Sequence, residues 1–339
     1  MGPDDFAYHL PDPAIAQIPL ADRPSARLLD ALAEPVAHRT VGDLPSLVGP
    51  GDVLVVNDTR VLPARLRAVR PTGGAAEVLL LRAVDDEGTW EALVRPSRKL
   101  PPGSTLTVDP GLAVEVADDL GEGRRHVRLS SDGPLADALD RCGEMPVPPY
   151  LTTTLDDPER YQTVYSRRPA SAAAPTAGLH LTDGVLKACR SAGARVERLE
   201  LVVGLDTFRP ITADDLDDHR MHCEDYEVPA ATLEACRDAR RVIAVGTTTV
   251  RALESAARYG LDGRTDLFIR PGFGFSVVDV LLTNFHLPRS SLLVLLEAFA
   301  GPRWRDLYAT ALQEGYRFLS FGDAMLVGRA DAKGGAISR

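Results

Sequence analysis

The stretch Thr283-Asn284-Phe285-His286-Leu287-Pro288 sets polar groups inside a strongly apolar run. Burying such groups unpaired costs free energy, so they need partners or a ligand. A strand end that delivers Asn284 and His286 to a pocket supplies a reason. Their alternate spacing puts both on one side of an extended segment. A hydrogen-bonded core histidine is the plain alternative for His286. Two other junctions share this character. Gly246-Thr247-Thr248-Thr249 follows the apolar run Val242-Ile243-Ala244-Val245. Free N–H groups and hydroxyls at such a turn can hold an anion or a polar ligand; a Thr N-cap is the plain alternative. Arg251 falls in the first helical turn, where positive charge opposes the helix dipole. It either pairs with Glu254 or reaches an anion such as an amino-acid carboxylate or a phosphate. Ala174-Pro175-Thr176-Ala177-Gly178-Leu179-His180 is a run of small residues ending in histidine. Small residues allow close approach of a ligand, and an imidazole titrating near neutrality suits acid–base work. Together the three junctions point to one site assembled at strand ends.

His219-Arg220-Met221-His222-Cys223-Glu224 invites a metal reading. The spacing is not that of a zinc helix and no partner motif occurs elsewhere, so no metal site is expected. A proton-transfer pair of His222 with Glu224 fits the residue types better, with an exposed charged loop as the plain alternative. Arg60, Arg65, Arg67, Arg70, Arg95, Arg98 and Lys99 crowd one region, joined by Arg124, Arg125 and Arg128. That region either is a solvated β surface or offers RNA a basic face.

These residues need elements to hold them. Residues 52–56 read as a strand ending in the polar turn Asn57-Asp58-Thr59-Arg60. From Pro63 to Pro149 short alternating segments appear at 77–81, 90–94, 105–108, 113–117 and 127–129, parted by Gly and Pro turns. That texture predicts a small antiparallel β-barrel. Beyond it, helix and strand signals alternate. Thr182 caps a helix ending before Gly193, and 196–203 forms a strand. Then come helix 233–240, strand 241–245, helix 250–259, strand 279–282, helix 290–300 and a helix from Pro302 to about Glu314. The expected fold is therefore a mixed-sheet α/β main domain, residues 1–60 and 151–330, with an inserted small antiparallel β-barrel domain, residues 61–150.

Net charge is −10, so any nucleic-acid contact needs a local basic face. Cys142, Cys189, Cys223 and Cys236 are widely spaced, as reduced thiols of a cytoplasmic protein would be. The acidic start of the chain carries no secretory signal. The apolar run 291–300 is too short to span a bilayer and contains Glu297, so no membrane partner is expected.

In order along the chain, Ile15-Ala16-Gln17, Arg27-Leu28-Leu29, Asn57–Leu66, Trp90–Lys99, Met145–Leu151, Arg160–Tyr165, Ala173–Thr182, Thr207–Pro210, His219–Glu224, Gly246–Ser255, Thr283–Pro288 and Tyr316–Leu326 resemble the S-adenosylmethionine:tRNA ribosyltransferase-isomerase family. The resemblance covers nearly the whole chain. It implies an α/β domain with an inserted β-barrel. It also implies a reaction: the ribosyl part of S-adenosylmethionine moves to 7-aminomethyl-7-deazaguanine at the tRNA anticodon wobble position and isomerises. Epoxyqueuosine forms, and adenine and methionine leave. S-adenosylmethionine is consumed as a substrate, so no separate cofactor is implied. The partners are S-adenosylmethionine and that tRNA, acting on a monomer.

Such chemistry needs a base for the C5′ proton and an acid for the departing purine. His180, His222, Glu224 and His286 are the candidates. Arg209 or Arg251 could hold the methionine carboxylate, and Thr247 and Thr248 the ribose or amino-acid part. Asp58, Arg60, Arg95, Ser97, Lys99, Thr176 and Asn284 complete the expected substrate contacts. One departure stands out. Where the family usually reads His, Ala and Gly, this chain has Val202, Leu205 and Asp206. Two alternatives therefore stand beside the main reading: a paralogue that uses S-adenosylmethionine with a different acceptor, and a non-catalytic tRNA-binding protein.

Overall fold

The computed structural model describes residues 1–85, 87–204 and 211–330. The chain forms two compact units. One comprises Met1–Thr59, Pro149–Arg168 and the chain from Pro175 on; the other comprises Arg60–Pro148 and Pro169–Ala174.

The first unit is built on a mixed sheet. Its nine strands, among the described residues, run in the order Asp262–Thr265, Glu224–Glu227, Arg195–Leu201, Asp52–Asn57, Arg241–Val245, Val280–Asn284, Ala324–Gly328, Arg27–Asp30 and Ala37–Thr40. The middle four, from Arg195–Leu201 to Val280–Asn284, are mutually parallel. Every residue of Asp52–Asn57 and of Val280–Asn284 is buried, as expected of parallel strands covered on both faces. Leu54, Val56, Ile243, Val245 and Leu282 share one core with Val185, Leu186 and Cys189 of helix Asp183–Ser191. Thr182 caps that helix, its Oγ1 accepting from the Val185 N–H at 3.3 Å. Ser290 does the same for Ser291–Ala300. Among the described residues no helix is long and apolar enough to cross a membrane, and all four cysteines are free.

The second unit is a closed antiparallel barrel, as the alternating texture predicts. Its six strands are Arg65–Val69, Ala75–Ala83, Thr89–Arg95, Arg124–Ser131, Leu112–Gly121 and Thr105–Asp109. The circle closes where Val69 pairs with Thr107. Leu66, Val78, Leu80, Val94, Leu106, Val114, Val116 and Val127 fill it. Helix Leu135–Cys142 also belongs here and went unread in the sequence. Its apolar Leu135, Ala138, Leu139 and Cys142 fall at helical spacing, but in only eight residues among strand signals.

Some boundaries moved for clear reasons. The helix expected from Val250 begins at Thr247, because Gly246 adopts φ +89° and turns the chain directly out of the strand. The helix expected from Leu233 begins at Ala230, just after Pro229. Glu224–Glu227, for which the sequence showed no strand, is a strand held between two neighbours.

The turn Thr176–His180 packs on Tyr165 through Gly178. A Cβ at Gly178 would overlap the Tyr165 hydroxyl and lie 3.1 Å from both Tyr165 Cζ and Thr163 Cγ2. The Tyr165 hydroxyl is buried without a hydrogen-bond partner among the described residues. Gly178→Ala should therefore cost about 1–3 kcal/mol by overpacking. Tyr165→Phe alone should be nearly neutral, since it removes an unsatisfied group. Urea unfolding of the two single variants and the double variant checks this. The double must recover at least half of the Gly178→Ala loss; strict additivity would show that the contact is not the cause.

Candidate functional site

Parallel strands leave their polar groups at the ends, and the carboxyl ends here are adjacent. They deliver Asn57 and Asp58, then Gly246 to Thr248, then Asn284. Asn57 is fully buried and bonds in four directions. Its Oδ1 accepts from the N–H groups of Thr59 and Leu201, at 3.2 and 3.1 Å. Its Nδ2 donates to the Leu201 carbonyl at 3.0 Å and to Thr248 Oγ1 at 3.3 Å. Sequence reading saw Asn57 only as part of a polar turn. The signal was there: an amide directly after five strand residues.

Asn284 organises the second cluster. Thr176 Oγ1 donates to its Oδ1 at 3.1 Å, and the acceptor-only Asp323 carbonyl fixes the amide orientation. Its Nδ2 then faces the Asp323 carbonyl at 3.3 Å and His180 Nε2 at 2.9 Å. His180 Nε2 is thus an acceptor, and the neutral ring carries its proton on Nδ1. Burial pushes the His180 pKa down to about 4, aided by the positive Arg317 and Arg23. The imidazole is neutral at physiological pH. A tight cavity of about 20 Å³ beside it is lined by Arg23, Arg160, Arg317 and Ser320 among others.

The third cluster lies at the start of helix Thr247–Tyr259. Thr247 and Thr248 are buried and line a cavity with Arg251, Met221, Phe268 and Leu295. The threonines are not the N-cap; Gly246 holds that position, and Thr249 Oγ1 turns back to the Val245 carbonyl at 2.7 Å. The expected alternative pairing of Arg251 with Glu254 does not occur. Glu254 takes Arg258 and the N–H groups of Ser276, Val277 and Val278. Arg251 instead forms a buried ion pair with Glu224, whose Oε1 accepts from Gly204 N–H at 2.9 Å. His222 is exposed two residues away. Arg209, Leu205 and Asp206 lie outside the described residues.

Asp58 is buried and lines a roomier cavity of about 400 Å³ with Arg167, Arg168, Glu200 and Glu227. Burial raises its pKa, against the pull of Arg167, whose Nε lies 2.6 Å away.

His286 does not share the side of Asn284. Its Nε2 meets Thr283 Oγ1 at 3.0 Å, and its N–H donates to the Tyr308 hydroxyl at 2.8 Å. Phe285, Tyr308, Tyr8 and Phe318 pack there edge to face or stacked. Burial alone pushes the His286 pKa down to about 3. The strand ends at Asn284, so the alternation that should have aligned the two side chains stops before His286.

The remaining expected contacts belong to the barrel unit. Arg60 pairs its backbone with Pro169 in a short two-strand ladder. Arg95, Ser97 and Lys99 lie on one turn after strand Thr89–Arg95.

A family model described as queuosine biosynthesis protein matches residues 3–327. The S-adenosylmethionine:tRNA ribosyltransferase-isomerase of Rubrobacter xylanophilus is 51% identical, over 96% of this chain and 98% of its own length. That of Thermus thermophilus is 48% identical, over 96% and 99%. A crystal structure of S-adenosylmethionine tRNA ribosyltransferase from Thermotoga maritima aligns with a TM-score of 0.53 at 34% identity, covering 95% of this chain and 99% of that one. The chain belongs to the S-adenosylmethionine:tRNA ribosyltransferase-isomerase family of queuosine biosynthesis. For this family member the three junctions read from the sequence do meet at neighbouring strand ends, whereas the His286 ring pairs with Thr283.

Both buried histidines make stability depend on pH. Their folded pKa values, about 4 and about 3, lie below the unfolded value near 6.5. The unfolded chain therefore binds protons first. The contribution is complete above about pH 6.5 and is lost as pH falls toward 4, at up to about 1.4 kcal/mol per pH unit for each histidine. His286→Gln should flatten the pH dependence of urea unfolding between pH 6.5 and 4.5 by up to one proton. An unchanged slope would show that His286 already titrates normally in the folded state.

Arg251→Leu leaves the Glu224 carboxylate buried beside an apolar group. A loss of about 3–5 kcal/mol is expected. Glu224→Leu combined with Arg251→Leu should lose less than the arginine variant alone. Denaturation of all three variants tests the coupling, and simple addition of the two single losses would contradict it.

Proposed function

We propose that this chain transfers and isomerises the ribosyl moiety of S-adenosylmethionine onto the aminomethyl group of 7-aminomethyl-7-deazaguanine at the wobble position of a tRNA. The product is epoxyqueuosine, with adenine and methionine released. S-adenosylmethionine is consumed, and no separate cofactor takes part. The relatives that match along the whole chain carry the corresponding enzyme name.

The observation that carries this reading is the His180–Asn284–Thr176 chain beside the Gly246–Thr248 junction. An imidazole with Nε2 occupied by Asn284 offers Nδ1–H as a fixed donor. That donor hydrogen-bonds a purine nitrogen as the glycosidic bond breaks, and the departing adenine takes up, by way of the base, the proton lost from C5′. Thr247 and Thr248 hold the ribose or amino-acid part. Arg251 is engaged by Glu224, so it can take the methionine carboxylate only by exchanging partners. The C5′ proton, acidified by the sulfonium, goes to His222 or Glu224, of which Glu224 pairs with the cavity residue Arg251. The aminomethyl group then attacks the sugar, and the epoxide closes as methionine leaves. His286 positions the Asn284 end of its strand without touching substrate.

The test is adenine release from S-adenosylmethionine, with and without tRNA bearing 7-aminomethyl-7-deazaguanine, followed by mass analysis of the nucleoside. Release should depend on that tRNA and add an epoxycyclopentanediol. His180→Ala should slow release about 10²- to 10⁴-fold while the fold persists. Release at the wild-type rate in that variant would remove His180 from the scheme. Absence of tRNA-dependent release in the wild type would remove the proposed reaction itself.

A further inference from the structure

Five arginines of the barrel unit have carboxylate partners. Arg67 pairs with Glu77 and Glu144, Arg82 and Arg124 with Glu91, Arg125 with Asp119, and Arg141 with Asp109. Arg95, Arg98 and Lys99 are different. All three are exposed, and none has a carboxylate partner among the described residues. They come from a single turn, Arg95 to Lys99.

That turn is held by a buried charge. The Arg125 guanidinium is buried, with Nε 3.2 Å from Ser97 Oγ and Nη2 3.3 Å from the Ser97 carbonyl. Burying a guanidinium is costly, and here its hydrogen bonds fix the shape of an exposed turn. Leu100, buried, anchors the far side. Next to the turn the barrel wall is concave. A hollow of about 930 Å³ is lined by Ala68, Val69, Ala75, Ala76, Pro96 and Val108, with Arg67, Glu77 and Arg95 at its edge. Val69 is 51% exposed there. Its size falls at the upper end of the roughly 300–1,000 Å³ of small-ligand clefts.

We propose that this face of the barrel binds single-stranded RNA. The phosphates lie on Arg95, Arg98 and Lys99, and an unstacked base lies in the apolar hollow against Pro96. Arg125 is a positioning residue that acts through Ser97. The reasons are chemical. Cations without local counter-charge are the ones that gain most from phosphate, because they release condensed ions. Splayed bases want flat apolar or guanidinium surface. On a chain with net charge −10, such a turn is a local exception. The proposal rests on the tRNA-modifying reading above and names the part of the protein that meets the anticodon loop.

The experiment uses the full chain and a fluorescent anticodon stem-loop RNA, titrated at several salt concentrations. Arg98→Glu with Lys99→Glu should weaken binding at least tenfold at physiological salt. Two lost contacts at about 0.7 each should also make the salt slope shallower by about 1.4. Arg125→Ala should weaken binding in the same direction, whereas Arg125→Lys, which keeps the charge and a donor, should recover part of it. Arg141→Glu, at an exposed but ion-paired site, should stay within twofold of wild type. If the double variant binds RNA as tightly as wild type, or Arg141→Glu loses as much, the face is not the RNA site. The adenine-release assay on the same preparations separates the two ideas. Wild-type tRNA-dependent release with unchanged RNA affinity in the double variant overturns this surface alone. Absence of both RNA binding and release in the wild type overturns the functional reading and this surface together.

Discussion

The side-chain amide of Asn57 is the joint on which the main unit depends. It sits at the end of the central parallel strand, fully buried, where the backbone ladder runs out. Both of its polar atoms are used: two donors reach the Leu201 carbonyl and Thr248 Oγ1, and the oxygen takes two backbone N–H groups. One side chain therefore ties the neighbouring strand Arg195–Leu201 to the start of helix Thr247–Tyr259. An isosteric aspartate would lose the two donors, and leucine would leave four buried groups unsatisfied. The positions of Thr248 and of the Leu201–Gly204 segment follow from this joint, and the cavity walls follow from them.

Charge around the strand ends is held in fixed partnerships. His180 and His286 are neutral because burial disfavours the imidazolium. Around His180 the guanidinium groups of Arg23 and Arg317 add to that effect. These arginines bond backbone carbonyls: Arg23 reaches Gln162 and Leu179, and Arg317 reaches Phe321. They cross-link the chain while keeping a positive field on the ring. Glu224 and Arg251, by contrast, are a buried pair that neutralises itself. Such an arrangement offers hydrogen-bond donors with fixed direction.

The barrel handles charge on its outward face. Its strands alternate inward apolar and outward polar residues, and carboxylates of neighbouring strands answer Arg67, Arg82 and Arg124. Arg95, Arg98 and Lys99 are exposed with no carboxylate partner among the described residues. Arg125 shows how a buried charge can serve an exposed one: its partner is a serine in the turn, and that serine sets where the cations stand.

Much of this was determined by sequence alone. Alternation every second residue gave the barrel, because a strand with one wet face must alternate. Continuous apolar runs with Gly and Thr at their ends gave the parallel strands and the helix starts. The polar interruptions at Thr176 to His180, Gly246 to Thr248 and Asn284 marked the candidate site, since burying polar groups unpaired in such runs is costly. Other things were decided only by tertiary structure. Glu224 and Arg251 are 27 residues apart and share no periodicity, so only folding could make them partners rather than Arg251 and Glu254. His286 lies two residues past Asn284, yet the strand stops between them, and the ring meets Thr283 instead. Asn57 meets Thr248 across 191 residues. Local pattern fixes which side chains are polar, apolar or small. Which of them meet is a matter of long-range packing, where strand order and the last ordered residue of each strand decide.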